Sequence, residues 1–125
     1  MKVAAVLLLV ASILVACGSQ SGKLYSLDKT RSCLTKKNVR LGGPLDFVAT
    51  TATGGALKAR PSSNFVTVVF GETVSDADNI NDIYHRVAGK NVGIEDVLRQ
   101  QKNVVMLWHE HPSNDDLATI TGCLK

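Results

Sequence analysis

His109 and His111 stand two residues apart in Trp108-His109-Glu110-His111, the stretch of this chain best equipped for chemistry. On an extended strand, residues at i and i+2 point to the same side. Two neutral imidazoles so placed share an ion such as Zn²⁺ or Cu²⁺, and His85, Asp115 or Asp116 would be the third ligand. Pro112 follows at once, so the strand is ending there, and the plainer alternative is a polar strand exit at the surface. Asp76 and Asp78 match the opening of a calcium loop, but Ile80 stands where an oxygen is needed, Asn81 replaces the glycine and Val87 the late glutamate. These acids suit the first turn of a helix better. There is no G-x-S-x-G. The glycine pairs at 42–43 and 54–55 lack a phosphate-loop pattern. Asp115-Asp116 falls at a helix start, where capping accounts for it. The chain therefore carries no catalytic constellation and no cofactor signature. Its reading is a non-enzymatic binding or structural module for a protein or cell-wall partner that the sequence does not identify, with an extracytoplasmic metal-binding protein using His109 and His111 as the alternative.

The front of the chain bears on location. Met1-Lys2 precedes a run from Val3 to Ala16 that is apolar except for Ser12. One charge followed by ~14 apolar residues has the form of a secretory signal, and it falls short of the ~18 that a membrane span needs. The run closes on Leu14-Val15-Ala16-Cys17. That ending resembles the lipobox of bacterial lipoproteins. The resemblance implies a diacylglyceryl group on the Cys17 sulfur, cleavage before Cys17 and acylation of the new amine. It divides the chain into a signal peptide (1–16), a lipidated cysteine with a Gly- and Ser-rich tether (17–24) and one domain (25–125). It also implies attachment to the cell membrane, facing outward into a periplasm or onto the cell surface. Two acyl chains hold a protein stably where one does not.

Cysteine usage agrees with export. Lipidation removes Cys17 from thiol chemistry and leaves Cys33 and Cys123, which an oxidising compartment would join. The alternative is two separately buried thiols. No CxxC and no zinc spacing of cysteines is present.

The elements that must position these groups follow from periodicity. Ser26 caps a first helix with Leu27, Thr30, Cys33 and Leu34 on one face, and Asn38 suits its stop. Residues 45–52 alternate like a strand yet also allow a short helix. Residues 56–71 predict a hairpin ending in the β-rich Phe65–Gly71. Residues 75–89 predict a helix capped by Ser75 and Asp78, with Ala77, Ile80, Ile83, Tyr84 and Val87 on its inner face and Gly89 at its end. Residues 94–101 are a short helix or an edge strand, 103–109 a buried strand, and Ser113 with Asp116 opens a last helix. The sum is an α+β domain, a small two-layer sandwich with three or four mainly antiparallel strands and helices on one face.

Charge is divided unevenly. Residues 17–60 hold Lys23, Lys29, Arg31, Lys36, Lys37, Arg40, Lys58 and Arg60 against Asp28 and Asp46. The basic half adjoins the lipid, so Lys36, Lys37 and Arg40 are candidates for contact with anionic head groups; a merely solvated helix face is the alternative. Nucleic acid is a poor partner, because the surplus of charge is small and no aromatic residues are interleaved with it.

Overall fold

The computed structural model describes residues 23–88 and 93–125. The signal segment, Cys17 and Gly89 lie outside the described residues.

Helix α1 (Leu27–Lys36) starts where Ser26 Oγ accepts the Lys29 amide at 3.2 Å. It stops in a Schellman turn. Asn38 takes φ 59°, the Val39 amide donates to the Leu34 carbonyl at 3.0 Å, and the Asn38 amide donates to Thr35 at 3.1 Å. Strands β1 (Arg40–Leu41), β2 (Ala56–Arg60), β3 (Val66–Phe70), β4 (Leu98–Gln101) and β5 (Val104–Trp108) form one sheet in the order β1-β2-β3-β5-β4. Every pairing is antiparallel. Residues 45–52 resolve into helix α2 (Phe47–Thr51), because Asp46 Oδ1 accepts the Ala49 amide at 2.9 Å and caps the turn.

The α+β class is as expected, but the sheet has five strands rather than three or four. One extra is β1, too short to show a period of two. The other is β4, which shares residues 94–101 with helix α4 (Ile94–Val97), so both readings of that segment hold in part. The helices also cover both faces, giving three layers rather than two. The reason lies in β3, whose five residues Val-Thr-Val-Val-Phe are all buried. Val66, Val68 and Phe70 pack with Leu34 of α1 and with Ile120 at the last helix, α5 (Asn114–Gly122). Val69 packs on the other side with Val48 of α2 and with Ala77, Ile80 and Tyr84 of α3 (Val74–Ala88). A strand apolar on both sides demands cover on both.

Helix α3 begins one residue earlier than expected. Thr73 Oγ1, not Ser75, accepts the Asp76 amide at 3.0 Å, and Asp78 instead accepts from Gln100 Nε2 at 2.7 Å. Its inner face is narrower as well: Ile83 and Val87 are 37% and 72% exposed.

Two devices close the fold. Cys33 and Cys123 are joined, with 5.3 Å between their Cα atoms and a sequence separation of 90. The bond ties α1 to the C-cap of α5. Asn103, 1% exposed, acts as a polar rivet in the turn before β5. Its Oδ1 accepts the Tyr25 amide, and its Nδ2 donates to the carbonyls of Tyr25 and Gly71, all at 2.9 Å. The five strands, both core clusters and the disulfide all lie within residues 23–125, so this segment carries its own core and folds as a unit.

Replacing Cys33 and Cys123 together by Ala should lower the free energy of unfolding of residues 23–125 by about 2–5 kcal/mol, measured by urea denaturation. Asn103→Leu leaves the Tyr25 amide and two carbonyls without partners; the same assay should register a loss of about 2–4 kcal/mol, well beyond that of an exposed Asn→Leu control.

Candidate functional site

The face of the sheet under α2 and α3 is only partly roofed. A recess of about 300 Å³ opens there between the two helices and α4. Phe47, Val48, Val87, Ala88, Ile94 and Leu107 line it. Two of them stand at its rim as the most exposed large apolar side chains described, Phe47 at 82% and Val87 at 72%. The polar groups in its wall are already committed to one another. The Tyr84 hydroxyl donates to both carboxylate oxygens of Asp46, at 3.0 and 2.9 Å. Burial first, then the Asp46 charge and this hydrogen bond, push the Tyr84 phenol above its ordinary range, so it remains a donor. The recess therefore presents an apolar surface.

On the same sheet face, toward the β2–β3 turn, lies a cationic and aromatic ledge. Phe65, just before β3, stacks on His109, with ring centroids 4.4 Å apart and planes 14° from parallel. From the β2 side, Lys58 Nζ lies 4.7 Å and Arg60 Cζ 5.1 Å from the centre of the Phe65 ring. Arg40 of β1 stands opposite Arg60. The loop before α2 approaches this row: Gly43 has φ +130°, which favours glycine, and a Cβ there would lie 2.9 Å from Lys58 Cδ, a contact the lysine stem can relieve by shifting. Among the described residues, no carboxylate lies within ion-pair distance of Arg40, Lys58 or Arg60.

The two histidines expected to share a metal are employed separately. His109 is in the stack, while His111 Nδ1 meets Asp96 Oδ1 of α4 at 2.6 Å. Strand β5 ends at Trp108, so the shared-side geometry of a strand does not extend to them. His85 pairs elsewhere, and Asp116 accepts from Ser62 Oγ at 2.6 Å. Among the described residues no group of three or more His, Cys, Asp or Glu is arranged to hold a metal ion.

The basic residues also divide differently from the expected set. Lys29, Lys36, Lys37 and Lys125 line one groove beside α1. Lys23, Lys29, Lys102 and Lys125 line a second, with Lys102 Nζ 5.0 Å from the Tyr25 ring centre. Lys36 and Lys37 thus belong to a lysine face around α1, whereas Arg40 belongs with Arg60 on the other face of the sheet. Sequence reasoning did not find the recess or the ledge. A trace of the ledge was visible in Ala56, Lys58 and Arg60 falling on one side of β2. Comparison with family models, with curated proteins and with solved structures gives no match.

His85 bridges α3 to the start of α4. Its Nδ1 lies 2.9 Å from the Asn81 carbonyl and its Nε2 3.2 Å from Glu95 Oε1. Both neighbours are acceptors, so only the doubly protonated ring donates to both. The Asn81 carbonyl chiefly holds the imidazole pKa above its ordinary value; desolvation works against it, and Glu95 and then Asp82 add to the rise. A raised folded-state pKa contributes stability that is complete below the unfolded-state value and is lost as pH rises through the folded one. Proton NMR titration should find His85 above the ordinary histidine range, and Glu95→Gln should bring it part of the way back, since the Asn81 carbonyl remains.

Proposed function

We propose that this protein is a lipid-anchored lipoprotein of the bacterial cell envelope, a non-enzymatic binding module held on the outer side of the membrane through Cys17. The reading rests on the lipobox-like Leu14–Cys17 behind an apolar run. One structural observation supports it beyond the sequence. Lys23, Lys29, Lys36, Lys37, Lys102 and Lys125 gather in two adjoining grooves around α1 and the start of the described chain. Lys23 is six residues from Cys17. Six residues reach at most ~20 Å, so a lipid on Cys17 would keep this face within about two Debye lengths of the bilayer. Near an anionic leaflet each lysine gains on the order of 1 kcal/mol. Asp28, the acid in the first groove, is paired with Arg31 at 3.6 Å. Among the described residues no helix is long and apolar enough to cross a membrane.

Mass spectrometry of the protein extracted from its native membranes should find the peptide beginning at Cys17 with a diacylglyceryl mass, and Cys17→Ser should move the protein out of the membrane fraction. Unacylated protein in the soluble fraction would overturn the anchor. For orientation, residues 23–125 should bind vesicles containing phosphatidylglycerol better than neutral ones, less so as salt rises. Changing Lys29, Lys36, Lys37 and Lys125 to Gln should weaken that binding at least tenfold; unchanged binding would reject the contact.

A further inference from the structure

We infer that the recess between α2 and α3, together with the ledge formed by Lys58, Arg60 and Phe65, is a binding site for a single-chain amphiphile with an anionic head. Three observations on one face of the sheet carry this. The recess is apolar, and among the described residues its only polar side chains, Asp46 and Tyr84, bond to each other. A volume of about 300 Å³ is at the small end of ligand pockets, enough for one chain and not for a two-chain lipid. Its rim exposes Phe47 and Val87 to water.

The ledge supplies the complementary charge. Leu107 in the recess is opposite Thr67, and Thr67 is opposite Lys58. Neighbouring strands are about 4.8 Å apart, so the lysine stands roughly two strand spacings from the recess, within the length of one small amphiphile. Lys58 and Arg60 are held over the Phe65 ring and have no carboxylate partner among the described residues. An apolar hollow beside two unpaired cations fits a molecule with a greasy tail and a negative end. It does not fit a neutral lipid, which leaves the cations unused, or an inorganic anion, which leaves the hollow unused. The site is on the face of the sheet away from α1, so it stands whether or not Cys17 carries lipid.

Decyl phosphate titrated into residues 23–125 by calorimetry, below its micellar concentration, tests this directly. The expected result is one molecule bound per chain. Lys58→Gln with Arg60→Gln should weaken binding roughly 10- to 100-fold, the range for hydrogen bonds to a charged group. Val87→Asp, at a position 72% exposed, should weaken it at least tenfold. Decanol and inorganic phosphate, each alone, should bind at least tenfold more weakly than decyl phosphate. Absence of binding would overturn the proposal. So would equal binding by the Lys58 and Arg60 variant, or either half-ligand binding as tightly as the whole.

Discussion

The burial of β3 on both faces is the constraint from which the rest of the architecture follows. Val66, Val68 and Phe70 project one way and Val69 the other, and none of them reaches water. A single layer of helices would leave one of these sets exposed. The chain answers with α1 and α5 on one side and α2 and α3 on the other, and β5 follows the same rule with Val104, Met106 and Trp108 against Val105. Fully burying one such side chain is worth about 1.5–3 kcal/mol. The two central strands therefore outweigh any local preference in the loops around them. The cost of close packing is visible at Trp108, whose indole Nε1 is buried with no hydrogen-bond partner among the described residues.

What the central strands cannot do is hold the periphery. The first helix and the chain end are far apart in sequence, and closing so long a loop is entropically expensive. The bond between Cys33 and Cys123 removes much of that freedom from the unfolded chain. Asn103 does the corresponding polar work, pairing with the backbone of Tyr25 much as a neighbouring strand would. The Ser26 amide meets the Lys125 carbonyl nearby, and the Lys125 amide meets Thr30 Oγ1. The sheet edges are guarded by shortness and charge. β1 has two residues and carries Arg40, and β4 carries Arg99 and two glutamines.

Much of this was legible in the residues themselves. Ser26 and Ser113 cap their helices, Asn38 turns left-handed after α1, and residues 56–71 form a hairpin, because each is set by contacts within a few residues. What stayed open or was missed has more than one physical cause. Residues 45–52 alternate, yet Asp46 captures the Ala49 amide and helix wins, aided by Tyr84 bonding the same carboxylate from α3. Val87 lies on the apolar stripe of α3 but stands at the rim of the partly roofed recess, 72% exposed. β1 is held by its pairing with β2, which no local pattern announces. The pair at His109 and His111 looked like a metal site because a strand was assumed to carry both. The strand ends at Trp108, and each ring finds its own neighbour, Phe65 or Asp96.

The three-layer arrangement also separates two kinds of surface that the sequence alone runs together. Reading along the chain, Lys36, Lys37 and Arg40 are one basic cluster. In space the Schellman turn at Asn38 reverses direction between them and hands the chain from a helix on one face to a strand opposite Arg60. Lysines accumulate on the α1 side, as mobile point charges suited to a diffuse anionic surface. The two arginines, with Lys58 and the aromatic Phe65, accumulate on the other side beside an apolar hollow. Guanidinium groups are planar, weakly hydrated and directional, which suits a discrete head group better than a membrane. The two faces thus differ in their basic groups, and the proposed tasks divide in the same way, with the lysine face around α1 for attachment and the opposite face of the sheet for a ligand.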